Sequence, residues 1–208
     1  MKIALINASP KPAFSGSGLL LAEMRKSFPK DAELVCYELR RKNISEFTVK
    51  ELIGMDAWVI FIPLYVDALP SHLLSCLMQI ESAAPKKRIK VYGVINCGFY
   101  EGEQTDVAFS VIRNFCTRCG FDFYGGLGIG GGGILSMNQM LAKQKHNKIG
   151  ILIRLRALAG KVARGERYPL RYTSVNMPEK VYKLGAEATW RIVNVLNGNK
   201  LKDIGRKY

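Results

Sequence analysis

Histidine is scarce: His72 and His146 are the only two and lie far apart in the chain. No Ser-His-Asp order and no metal-ligand cluster can be assembled around them, which ranks hydrolase and metalloenzyme chemistry low. The five cysteines are odd in number and show no repeated pair spacing. No leader core is present either, since the first apolar run, Ile3 to Ile6, stops at Asn7 and a signal peptide needs about 7 to 15 such residues. The expectation is a cytoplasmic protein with free thiols. Nothing approaches the roughly 20 apolar residues of a membrane span; the best candidate, Ala57 to Val66, is broken by Pro63 and closed by Asp67. Internal repeats, low-complexity tracts and a flexible linker are missing too. With 48% hydrophobic and 23% charged residues in 208, the composition is that of one ordinary globular domain over 1–208. Acid is short in one place: residues 1–142 hold 15 basic and 13 acidic side chains, residues 143–208 hold 16 and 4.

What is present alternates. Lys2 to Asn7 is a short β-branched apolar run ended by Ala8-Ser9-Pro10. Glu33–Leu39, Ala57–Ile62, Ile89–Asn96 and the weaker Phe121–Ile129 are further strand candidates. Between them, Ser17–Ser27, Ser45–Ile53, Ser71–Ser82 and Thr105–Cys119 have helical spacing, the last stopped by Gly120. Strand followed by helix, four times over, predicts right-handed crossovers and a parallel sheet covered on both faces. Two more helices are expected near 139–164 and 178–197.

In such a sheet ligands sit beyond the carboxyl ends of the strands, where strand order reverses. The loop after the first strand carries Ser9, Lys11, Ser15, Gly16 and Ser17 immediately before a helix, the arrangement that binds phosphate through amides and the helix dipole. Taken alone, Ser15 or Ser17 reads as a plain helix cap. The loop lacks G-x-x-x-x-G-K-[ST], so a monophosphate suits it better than a nucleoside triphosphate with magnesium. After the third strand Pro63, Leu64, Tyr65 and Val66 form an extended loop, and after the fourth come Asn96, Cys97, Gly98, Phe99, Tyr100 and Glu101. Three aromatics on neighbouring loops suit a flat heteroaromatic ring.

These pieces, in this order and together with Gly126 to Gly131, resemble the NADPH-dependent FMN reductase branch of the flavodoxin-like superfamily over roughly residues 1–135. The resemblance implies an α/β, doubly wound, five-stranded parallel sheet in order 2-1-3-4-5. It also implies FMN at the carboxyl edge, with Ser9, Lys11, Ser15 and Ser17 at the phosphate, Pro63 to Val66 lining the ring and Cys97 to Glu101 bordering its other side. NADPH or NADH would be co-substrate, a small electron acceptor the partner, and a homodimer the expected assembly. No protein nucleophile or acid is called for, because the cofactor carries the chemistry. Pro12-Ala13-Phe14 departs from the small polar residues usual in related loops.

Two motifs fall away. Gly126-x-Gly128-x-x-Gly131 lacks the acid that a dinucleotide fingerprint needs about 20 residues on, since no Asp or Glu lies between Asp122 and Glu166. Cys116-x-x-Cys119 has no second pair or nearby histidine and reads as structural. The basic third remains: KQKHNKIGILIRLRALAGKVAR, residues 143–164, suggests an amphipathic helix with Ile149, Leu152, Ile153 and Val162 on its apolar face. Its charge fits a surface helix, a site attracting the phosphates of NADPH, or weak association of residues 143–208 with an anionic surface. No specific nucleic-acid motif accompanies it. Strong positive charge favours a reductase over an acidic flavodoxin-type carrier, the alternative being an FMN-binding carrier or sensor that docks an acidic partner through this third.

Overall fold

The computed structural model describes residues 1–83, 87–133 and 148–200. The chain divides into two compact units, Met1–Asn176 and Met177–Tyr208.

In the first unit β1 (Lys2–Asn7), β2 (Glu33–Glu38), β3 (Ala57–Pro63), β4 (Lys90–Asn96), β5 (Asp122–Ile129) and β6 (Arg171–Thr173) form one parallel sheet in the order β2-β1-β3-β4-β5-β6. The helices are α1 (Gly16–Arg25), α2 (Glu46–Gly54), α3 (Ser71–Ser82), α4 (Asp106–Cys119) and α5 (Ile149–Ala163), with a 3-10 turn over Gly102–Thr105 ahead of α4. β3 and β4 are apolar almost throughout because both of their faces are covered. Ala4, Ile6, Trp58, Ile60, Val91 and Ile95 pack with α2, α3 and α4, where Trp58 meets Phe121 edge to face at 5.2 Å and donates its indole N–H to the Leu52 carbonyl. Alternate strand residues point the other way, to the side of α1 and α5. Gly120 ends α4 in the left-handed conformation (φ 70°), which a residue without Cβ adopts without strain.

Five of the strands and the first four crossover helices stand within a few residues of their expected positions. The sheet has a sixth strand, however. After α5 the chain returns along β5 and pairs Leu127 with Arg171, Gly128 with Tyr172 and Ile129 with Thr173. Three residues reading Arg-Tyr-Thr carry no apolar alternation, so only the neighbouring edge makes them a strand. The apolar face expected for the basic helix also needs correcting. In α5 the buried side chains are Ile151, Leu155, Leu158, Ala159 and Val162, while Ile149 and Ile153 are exposed. The earlier part of that expectation, 139–147, lies outside the described residues.

Helix α5 is fixed to α1 by an ion pair in which Lys148 Nζ, almost fully buried, lies 3.1 Å from Glu23. Burial alone would raise the Glu23 pKa, but hydrogen bonds and charge from Lys148 and Lys26 outweigh it and hold the carboxyl below 4.5. A lowered carboxyl pKa stabilises the fold above the unfolded value, and that contribution is lost as pH falls through the folded one. Glu23→Gln is therefore expected to cost about 2 kcal/mol at pH 7, less than for a fully buried pair because Glu23 keeps some water contact. In urea titrations the gap between variant and parent should close as the pH is lowered below 4.5; a gap unchanged at low pH would show that packing, and not charge, accounts for the loss.

Candidate functional site

Four strand ends meet at one rim. The Leu64 amide donates to the Asn96 carbonyl at 2.7 Å, joining the loops after β3 and β4, and the Cys97 amide donates to the Ile129 carbonyl at 2.9 Å, joining β4 to β5. Ser17 Oγ donates to Asn96 Oδ1 at 2.9 Å, which brings the start of α1 onto the same edge. The Ala8 amide donates to the Phe61 carbonyl at 2.9 Å, which joins the end of β1 to β3.

At the start of α1, Ser15 is the N-cap: it is extended (φ −138°, ψ 151°), its hydroxyl accepts from the Gly18 amide at 3.0 Å, and its carbonyl accepts from Leu19. That leaves the amides of Gly16 and Ser17, two of the donors every helix start leaves without an intrahelical partner. Both residues are buried, and neither amide meets an acceptor among the described residues. Two unpaired donors at the positive end of a helix dipole make an anion cradle. The hydroxyls have other partners: Ser15 caps, Ser17 holds Asn96, and Ser9 accepts the Lys11 amide at 3.4 Å. The Lys11 side chain is exposed beside them.

Three residues of this network escaped the sequence reading. Asn7, buried at the end of β1, donates Nδ2 to both oxygens of Glu38 and accepts the Ser9 amide. Arg40 donates Nε to Glu38 and Nη1 to the Pro12 carbonyl at 2.8 Å, so it props the loop from 28 residues away. Only the pairing of β1 with β2 creates that neighbourhood; the sequence signal was no more than a polar residue closing an apolar strand.

The ring side is built differently. Tyr65 and Phe99 are 41% and 52% exposed, and Val66 stands almost wholly in solvent. Val66 and Asp67 hold φ of 49° and 57°, a region costly for a β-branched residue. The turn is pinned by reciprocal hydrogen bonds between Tyr65 and Ala68. A Cβ on Gly98 would meet nothing within 4 Å, so this position faces open space. Pro63, Leu64 and Asn96 are buried, and Tyr100 and Glu101 are partly buried. Cys97 turns inward: its thiol faces the Phe99 and Glu101 carbonyls, and burial pushes its pKa up to about 11. The rim thus offers Lys11, Tyr65, Val66, Gly98 and Phe99 to a ligand, with the other expected residues behind them.

The glycine run after β5 supports this loop. A Cβ on Gly130 would lie 1.9 Å from the Tyr100 carbonyl oxygen, and one on Gly132 would lie 2.6 Å from that of Cys97. The Gly131 amide donates to the Phe99 carbonyl. These glycines seat the loop after β4, while Gly126 and Gly128 are interior strand residues and open no helix.

The cysteines separate by exposure. Cys76, Cys97, Cys116 and Cys119 are buried and Cys36 is exposed; burial pushes the Cys116 thiol up to about 12 and the Cys119 thiol up to about 11. Because the thiolate is the nucleophile, a disulfide reagent at pH 8 is expected to label Cys36 alone in the native protein and all five thiols after unfolding. Fast native labelling of Cys97 would contradict the inward placement.

A group with a terminal phosphate and a flat ring would suit these residues: the Gly16 and Ser17 amides would take the anion, and the exposed Tyr65, Val66 and Phe99 would supply apolar surface. No family model and no curated protein matches the sequence. Solved structures do resemble the fold. An NADPH-quinone reductase from P. pentosaceus superposes with TM-score 0.56 at 14% identity, over 78% of this chain and 98% of that one. An FMN-dependent NADH-azoreductase from Bacillus anthracis in complex with FMN gives 0.55 at 16% identity, over 78% and 100%. A flavodoxin, WrbA-like protein from Agrobacterium tumefaciens gives 0.52 at 12% identity, over 79% and 95%. The fold is thus flavodoxin-like, extended by β6.

Proposed function

We propose that the protein is an FMN-dependent oxidoreductase that accepts hydride from NADPH or NADH and reduces a small acceptor such as a quinone or a free flavin. The observation that carries this reading is the pair of buried amides at Gly16 and Ser17, which meet no acceptor among the described residues, on the same rim as the exposed Tyr65 and Phe99. Support also comes from the structures of like fold named for NAD(P)H-dependent reduction of quinones and for FMN-dependent azo reduction.

Bound FMN would supply the redox chemistry, hydride acceptance followed by electron delivery to the acceptor. The chain's part is placement. The Gly16 and Ser17 amides and the α1 dipole hold a phosphate dianion, and Lys11 adds a mobile positive charge. Asn96, locked by Ser17, fixes the distance between the phosphate loop and the ring-side loops. Tyr65 and Val66 on one side and Gly98 and Phe99 on the other bound a flat group. Cys97, kept protonated by burial, takes no part as a nucleophile. The reading includes a homodimer, for which Leu74 and Met78 on α3 and Val107 and Val111 on α4 offer exposed apolar side chains.

The test is direct. Protein purified under native conditions is denatured by heat and the supernatant analysed for flavin, and NADPH oxidation is followed with a soluble quinone as acceptor. FMN in the supernatant and quinone-dependent oxidation are expected. Absence of flavin together with no binding of added FMN would overturn the assignment.

A further inference from the structure

The second unit contains a helix of unusual composition, α6 (Glu179–Leu196). Of the 18 large apolar side chains exposed among the described residues, seven lie on it: Val181, Leu184, Trp190, Ile192, Val193, Val195 and Leu196. At about 100° per residue, Val181, Leu184, Ala188, Ile192 and Val195 share one side. Lys180, Lys183, Glu187, Arg191 and Asn194 crowd into an adjoining arc of roughly 80°. The remainder of the circumference is mostly apolar, and Trp190 stands at the border of the charged arc. A surface helix of a globular protein carries an apolar stripe narrower than its polar face; here the proportion is reversed.

The charge is equally lopsided. Residues 177–208 hold seven basic and three acidic side chains. Two of the acids are matched within the helix, Glu179 by Lys183 at 2.6 Å and Glu187 by Arg191 at 2.5 Å. Lys180 and Lys200 have no carboxylate partner among the described residues, and the sequence adds Lys202, Arg206 and Lys207 beyond them. A second copy of this face would bring like charge against like charge. An anionic lipid surface brings the opposite charge and an apolar layer that accepts Val, Leu, Ile and Trp side chains from a helix lying in its plane. No helix among the described residues is long and apolar enough to cross a membrane, so contact would be from one side.

We infer that α6, with Lys180 on it and Lys200 just after it, forms an interfacial anchor that lays the protein on an anionic phospholipid bilayer. The inference is independent of the flavin reading, since it rests on the second unit alone and its readout requires no turnover.

The chain carries its own probe. It has two tryptophans, Trp58 fully buried in the core and Trp190 70% exposed on α6, so a change in emission on binding reports Trp190. The full chain is titrated with vesicles of phosphatidylcholine alone and with vesicles containing phosphatidylglycerol, and partition is read by sedimentation and by the emission maximum. Binding to the anionic vesicles with a blue shift is expected, weakened about tenfold or more when salt rises from roughly 0.1 to 0.5 M. Leu184→Ser with Ile192→Ser should lower partition by about tenfold or more, and Lys180→Gln with Lys200→Gln by roughly tenfold at low salt. All four positions are exposed, and circular dichroism checks the fold of each variant. No binding to anionic vesicles, or equal binding to both kinds, overturns the inference. So does a dimer that Leu184→Ser with Ile192→Ser dissociates while partition is unaltered, since a second copy would then cover the helix.

Discussion

Gly16→Pro is expected to weaken FMN binding by about 10- to 100-fold while leaving the fold intact. Gly16 is the first helical residue of α1, and its N-cap Ser15 is extended at ψ 151°. Proline is favoured at that helix position, and the residue before it must be extended, as Ser15 already is. The substitution therefore removes one amide hydrogen and little else from the backbone. A hydrogen bond from an amide to a charged phosphate is worth about 1.5–3 kcal/mol, which is the loss predicted. Gly16→Ala keeps the amide and places a Cβ at the same position, so the ratio of the two dissociation constants isolates the donor. Quenching of flavin fluorescence gives both constants, and thermal melting confirms that the variants fold. Equal affinities for Pro and Ala would mean that no phosphate sits on this amide, and the anion cradle would have to be given up.

The second large effect is expected at Gly130, which never faces the ligand. Its added Cβ would lie 1.9 Å from the Tyr100 carbonyl oxygen and 2.9 Å from the Gly102 nitrogen. Both are backbone atoms, so no side chain can rotate away, and either the loop after β4 or the end of β5 must move. Gly130→Ala is predicted to cost about 3 kcal/mol. For a chain of this size that lowers Tm by roughly 6–12 °C. Because the displaced loop includes Gly98 and Phe99, flavin affinity should fall with stability. Gly98→Ala lies on the same loop but meets nothing within 4 Å; it should change stability by less than about 0.5 kcal/mol. If Gly130→Ala melts like the parent, the seating of the loop on the glycine run is wrong.

The contrast between those glycines shows how much of the site could be read in advance. Seven glycines crowd residues 125–133, a composition that permits a close approach without saying what approaches. Tyr100 and Cys97 are neighbours of Gly130 and Gly132 only because β4 pairs with β5 in the register Asn96 to Ile129. The serines teach a related lesson. A hydroxyl-rich loop before a helix is visible in sequence, yet which hydroxyls are free depends on partners elsewhere. Asn96, 79 residues away, occupies Ser17, so among the described residues the donors left over at the start of α1 are backbone amides that no residue identity could single out.

The sequence by itself determined the alternation of strand and helix, because apolar period and capping residues are local properties of the chain, and from it the parallel sheet. Tertiary structure alone decided the rest. Strand β6 exists because the edge of β5 offers hydrogen bonds to whatever chain runs beside it. In α5, Ile151 and Leu155 are buried and Ile149 and Ile153 exposed because helix rotation follows the surface it packs on, and two apolar stripes on one helix are equivalent until that surface is present.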